Sequence, residues 1–265
     1  MSLEFNILGC GSSGGVPRIG DHWGACDRKN PRNRRRRCSI LVRRYSSQGV
    51  TSLLVDSSPD LRQQLLEIDT GWLDGVFYTH IHADHTHGID ELRAVAINGK
   101  RCVRIWADRS TMDSLRRRFA YCFETPPASH YPPILDPHIM TPPSTANVDG
   151  PGGVIEAQSF TLEHGAMDVL GFRFGALAYT PDVSNIPDES IDSLRNLDVW
   201  IVDALRPAPH PSHFNVALAL DWIDRLKPRR AILTNMHLDL DYETLKRDLP
   251  RSVEPAFDGL VVTAP

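Results

Sequence analysis

No stretch of this 265-residue chain approaches the roughly 18 consecutive apolar residues that a membrane-spanning helix needs. No membrane association is therefore expected. The leading residues Met1-Ser2-Leu3-Glu4-Phe5 carry no basic region ahead of a long apolar run, so no signal peptide is visible. No C-x-x-C pair occurs among the five cysteines, Cys10, Cys26, Cys38, Cys102 and Cys122, and their number is odd. A reduced, cytoplasmic protein is the simplest expectation. There is no excess of positive charge: 29 Lys and Arg face 33 Asp and Glu, for a net charge of −4. That argues against a protein that coats nucleic acid through bulk charge, and no stable nucleic-acid complex is expected. No repeat of solenoid length and no composition shift marks a linker. One α/β domain spanning residues 1–265 is the expected organisation, and 41% hydrophobic with 23% charged residues is ordinary for a globular chain.

What the chain does contain is concentrated in six residues, His80-Ile81-His82-Ala83-Asp84-His85. They follow the apolar run Gly75 to Thr79, which reads as a buried strand. A strand end holds side chains firmly while the loop beyond bends freely. Imidazole with carboxylate suits zinc, iron or manganese better than calcium or magnesium. Four candidate ligands in six residues exceed what one ion takes from a single loop, so two adjacent ions are the natural reading.

The remaining elements can be placed coarsely. Leu3 to Leu8 alternates as a strand, and 38–45 with 51–55 read as a hairpin. Helices are expected over 59–67, 89–97, 110–123, 190–196, 215–226 and 242–249. Further strands are expected over 103–106, 154–162, 170–174, 176–179, 199–202, 230–234 and 260–262. Residues 125–143 carry seven prolines, which forbid regular helix or a central strand. This order fits two mixed sheets between helices.

Three more candidate ligands each close a probable strand: His164, Asp182 and His237. The pattern His80-x-His82-x-Asp84-His85, then His164, Asp182 and His237, resembles the metallo-β-lactamase superfamily over nearly the whole chain. The resemblance implies an αββα sandwich of two mixed β-sheets with two divalent ions, zinc or manganese, between them. His80, His82 and His164 would hold one ion, and Asp84, His85 and His237 the other, with Asp182 bridging. Asp182 stands where some relatives use Cys, and His82 where the diiron oxygen reductases use Glu; both favour hydrolysis over redox chemistry. His213, in Pro211-Ser212-His213-Phe214-Asn215, resembles the histidine motif of the phosphodiesterase branch.

Asp84 and His213 are accordingly the catalytic candidates. Two ions about 3.5–4 Å apart would activate a shared water and neutralise a phosphoryl group, and His213 would protonate the departing alkoxide. Only residues 165–181 separate His164 from Asp182, which leaves no room for the tRNA-gripping arm of the tRNA 3′-processing enzymes. A small phosphodiester, cyclic or nucleotide-like, is the expected substrate. A structure-specific ribonuclease and a lactonase or thioesterase are the alternatives within the superfamily, which also implies a homodimer as one assembly. Cys26 and Cys38 are too few for the extra structural zinc that the branch can carry.

Three features have two readings each. Asp56 either orients a ligand imidazole or caps the helix after Pro59. The run Arg34 to Arg37 is a solvated loop or a phosphate grip. His130 and Tyr131 form either a plain loop or a lid, and His22 with Trp23 could line the pocket.

Overall fold

Apolar runs of the sequence become strands, and several end on the polar groups singled out above. The computed structural model describes residues 3–264; Met1 and Ser2, at the head of the segment read for a signal peptide, lie outside them. The first half comprises β1 (Leu3–Gly9), β2 (Ser39–Ser46), β3 (Gly49–Val55), α1 (Leu61–Glu67), β4 (Gly75–Phe77), α2 (Ala83–Thr86), α3 (Leu92–Gly99), β5 (Val103–Ala107), α4 (Arg109–Arg118), α5 (Ala120–Phe123) and β6 (Leu135–Ile139). The second comprises β7 (Ser144–Val148), β8 (Ile155–His164), β9 (Met167–Phe174), β10 (Leu177–Thr180), β11 (Val199–Asp203), α6 (Val216–Leu226), β12 (Arg230–Thr234), α7 (Tyr242–Asp248), β13 (Val253–Pro255) and β14 (Val261–Ala264). Short 3-10 turns lie at Pro31–Asn33, Ile89–Glu91 and Asp188–Leu194.

Two seven-stranded sheets form, in the orders β14-β1-β2-β3-β4-β5-β6 and β13-β12-β11-β10-β9-β8-β7. Each is antiparallel in one half and parallel in the other: β3 to β6 run parallel in the first sheet, β10 to β13 in the second. Side chains alternate across the strands, as a period of two requires. Ile40, Val42, Leu53 and Val55 face the layer between the sheets, while Leu41 and Leu54 face α1, α3 and α4. Phe5 meets Phe174 edge-on at 5.6 Å, and Phe77 meets Phe172 at 5.1 Å, which locks one sheet onto the other. On the far side, Ala219 and Ile223 of α6 and Leu245 of α7 join the same core. The architecture is the expected αββα sandwich.

Four local expectations change. The helix expected over 110–123 breaks at Phe119, whose φ of −127° and ψ of 39° leave the helical region. The proline-rich stretch contributes β6, where Pro137 sits on the sheet's last strand, a place that tolerates a missing N–H. The segment at 190–196 is a 3-10 turn at Asp188–Leu194, and β7 and β13 were not anticipated. Among the described residues no helix is long and apolar enough to cross a membrane.

Candidate metal centre

The parallel halves of the two sheets deliver their carboxyl ends to one place, the edge where open α/β sheets present ligands. β3 leads into Asp56 and β4 into His80; β10, β11 and β12 lead to Asp182, Asp203 and Asn235. His164 is the last residue of β8. Past His80 the chain turns into the single-turn helix α2. There Thr86 Oγ1 donates to the carbonyl of His82 at 2.8 Å, and Asp84 and His85 are swung inward.

Ligand atoms gather into two groups that share Asp182. His80, His82, His164 and Asp182 form one, and Asp84, His85 and Asp182 the other, with all atoms of each group within 4.8 Å. In the first, His82 Nδ1 lies 3.0 Å from His80 Nε2 and 3.3 Å from His164 Nε2. Asp182 Oδ2 lies 3.8 Å from each of those Nε2 atoms. Zinc bonds of about 2.0–2.1 Å at tetrahedral angles put ligand atoms about 3.3 Å apart, so this donor set fits one such ion. In the second group, His85 Nε2 lies 3.2 Å from Asp182 Oδ1 and 3.5 Å from Asp84 Oδ2. That nitrogen is buried and makes no hydrogen bond. An orphaned lone pair between two carboxylates is what a cation would satisfy.

The far side of three of the imidazoles is tied down. His85 Nδ1 donates to Asp56 Oδ2 at 2.7 Å. His80 Nδ1 donates to Thr79 Oγ1 at 2.9 Å, and that hydroxyl donates on to Asp56 Oδ2 at 2.8 Å. His164 Nδ1 faces the carbonyl of Ser212 at 2.5 Å. A carbonyl can only accept, so the proton is on Nδ1 and the Nε2 lone pair is presented inward. Such outer partners fix tautomer and ring direction in metal sites. Of the two readings of Asp56, the structure selects the orienting one, since its carboxylate serves Thr79 and His85 and leaves the helix start to Ser58 and Asp60.

The electrostatics agree. Burial and the His85 charge push His80 well below its ordinary range, and burial lowers His164. Burial also opposes a charge on His85, yet Asp182, Asp84 and Asp56 outweigh it and raise that imidazole. Three carboxylates around one ring form a strong field for a cation. His80 and His85 are sealed from solvent, whereas His82 is exposed and marks the open side.

His213 stands beside this cluster, its ring centroid 4.5 Å from that of His164. Its Nδ1 donates to Asp203 Oδ2 at 2.8 Å. Burial lifts the Asp203 carboxyl to about 7, and against burial of its own ring, Asp203 and Asp182 lift His213 to about 9. Asn235 lies at 3.2–3.3 Å from both Asp182 and Asp203, in a left-handed conformation with φ 58°. Asp203 and Asn235 were absent from the sequence reading. The signal for Asp203 was there: Val199 to Val202 is an apolar strand and a carboxylate closes it, as at Asp182.

His237 departs from its expected place. Neither ligand group includes it. Its Nδ1 faces Asp239 Oδ2 at 2.8 Å and its Nε2 faces Arg18 Nη2 at 2.5 Å. Within the arginine run Arg34 is exposed, while the other three are tied to the protein itself. Arg35 is buried and donates to the carbonyls of Leu240 and His237, Arg36 pairs with Asp258 and Glu67, and Arg37 pairs with Asp60.

A family model described as the Beta-lactamase superfamily domain matches residues 51–236. The chain belongs to the metallo-β-lactamase superfamily. Its His/Asp cluster fits a metal site. A crystal structure of a new diphosphatase from the PhnP family superposes with a TM-score of 0.89 at 32% identity, covering 100% of this chain and 98% of the other. The short form of human tRNase Z matches with a TM-score of 0.66 at 17% identity over 99% of both chains, a likeness of fold alone. An octanoyltransferase of Porphyromonas gingivalis is 31% identical over 259 residues, 96% of this chain. The chain spans about half (50%) the length of that relative.

Proposed function

We propose that this superfamily member is a dinuclear metal-dependent phosphodiesterase that cleaves a small cyclic or nucleotide-like phosphodiester. The observation that carries the reading is the Asp203–His213 pair set against the ligand cluster. An imidazolium held at Nδ1 by a buried carboxylate keeps Nε2–H for a leaving oxygen, which is the task of a general acid. His80, His82 and His164 would hold one ion, Asp84 and His85 the other, and Asp182 both. Two such ions supply Lewis acidity for the phosphoryl oxygens and an activated water. Asp56 and Ser212 hold the ligand rings in one tautomer, and α2 keeps Asp84 and His85 on one side.

A small substrate is supported by the path between His164 and Asp182. β9 and β10 account for most of it, with only tight turns left over, so nothing projects there to grip a folded RNA. A second reading, hydrolysis of a phosphoanhydride, is favoured by the PhnP-family relative, which is described as a diphosphatase. Acyl transfer, suggested by the Porphyromonas gingivalis relative, concerns a protein twice this length. Here burial pushes up the thiols of Cys10, Cys26, Cys38 and Cys122, away from the thiolate that thiol-dependent acyl transfer uses.

The test is a panel of bis-p-nitrophenyl phosphate, a 2′,3′-cyclic nucleotide, a ribosyl 1,2-cyclic phosphate, a dinucleoside diphosphate and a lactone, with zinc or manganese supplied. Turnover of a phosphodiester is expected, with kcat falling about 10²–10⁴-fold in His213→Ala. Turnover of the lactone alone, or a His213→Ala variant as fast as the parent, would sink the reading.

A further inference from the structure

His80, His85 and His164 share one arrangement: Nδ1 is tied to an oxygen and the Nε2 lone pair is presented inward. His237 is built the same way. Arginine has no acceptor and keeps its proton, so in the contact between Arg18 Nη2 and His237 Nε2 the guanidinium is the donor. The proton of a neutral His237 then sits on Nδ1, where Asp239 Oδ2 accepts it at 2.8 Å, closer than the Asp239 backbone N–H that approaches the same nitrogen at 3.3 Å. His237 therefore has the tautomer of a metal ligand, with an anchoring carboxylate behind it. Its lone pair is nevertheless taken by a cation from the protein's own chain, and the ring stays outside both ligand groups.

Arg18 is free to leave. It is exposed, at the start of a tight hairpin closed by Arg18 N–H to His22 O at 2.9 Å and His22 N–H to Arg18 O at 3.2 Å. The backbone below is pinned by reciprocal Val16 and Arg35 hydrogen bonds at 2.8 and 2.9 Å. The guanidinium arm lies over Gly14, where a Cβ would come within 2.9 Å of Nε. The backbone is fixed, and the side chain alone must swing.

We propose that Arg18 is a latch on His237, holding the imidazole out of the second ion's ligand set so that the two halves of the centre load unequally. The inference rests on the two-ion reading of the site. A guanidinium and a divalent ion cannot share one lone pair. The His80, His82, His164 and Asp182 side has its four donors gathered and loads first. The Asp84, His85 and Asp182 side completes its set only when the guanidinium releases His237. An affinity that depends on a fractionally populated open state is reduced by that fraction.

Calorimetric titration of metal-free protein with zinc alone tests this. Two steps are expected in the parent, the second weaker. Arg18→Ala is expected to strengthen the second step by roughly tenfold or more and to leave the first unchanged. Gly14→Ala, whose new methyl pushes the flexible guanidinium aside, is expected to move the second step in the same direction, and Arg18→Lys, which keeps a donor, to restore much of the gap. A second step unmoved by Arg18→Ala, or both steps moving together, overturns the latch. Absence of any zinc step in the parent overturns the metal centre with it.

Discussion

Asp56 concentrates several roles in one side chain. It is fully buried with φ 64°, and it accepts from Thr79 N–H, Thr79 Oγ1 and His85 Nδ1, all within 2.8 Å. Burial raises its carboxyl, against the pull of His85 and Thr79. Asn tolerates the left-handed conformation but cannot serve the same three donors. Asp56→Asn is therefore expected to fold and to bind zinc about 10–100-fold more weakly, read by chelator competition. Unchanged affinity would deny Asp56 its hold on His85. At this scale the sequence was informative where ligands cluster or close a strand. It was silent on Asn235, whose amide matters only because the ends of β10, β11 and β12 meet there. Asp203 was legible, since it closes the apolar run Val199 to Val202 as a carboxylate at a strand end.

Among the elements, α7 shows how the long β1–β2 loop is held. Asp241 caps that helix through Thr244 N–H at 3.0 Å and also accepts from Asp27 N–H at 3.1 Å and Asn33 Nδ2 at 2.7 Å. Burial works against its charge, but these donors hold the carboxyl down at about 2. A depressed value means the stabilisation is complete above the unfolded value near 4 and fades as pH falls towards 2. Asp241→Ala is expected to cost about 1 kcal/mol at pH 7, with the gap to the parent narrowing by pH 3 in urea denaturation. A gap equal at both pH values would contradict that sign. Amphipathic α6 and the apolar strands were readable from periodicity. The break at Phe119 and the β6 edge strand were not, because each is set by neighbours: Ile134 N–H donates to Cys122 O, and β5 supplies a partner for β6.

Across the whole molecule, the sandwich stacks two sheets so that the carboxyl ends of their parallel halves meet at one rim. The first sheet contributes Asp56, His80, His82, Asp84 and His85. The second contributes His164, Asp182, Asp203 and His213. The pattern of strand-closing ligands was visible in the sequence, but which strands become neighbours was not, because pairing such as β10 with β11 is decided by packing across the core. Arg18 on His237 was hidden for the same reason, since 219 positions separate them in sequence. The most direct measurement is the rate of bis-p-nitrophenyl phosphate hydrolysis as zinc or manganese is added stepwise to metal-free protein. The expected result is little turnover at one equivalent and a steep rise to a plateau at two. Full activity at one equivalent, or none at any loading, would contradict a two-ion phosphodiesterase.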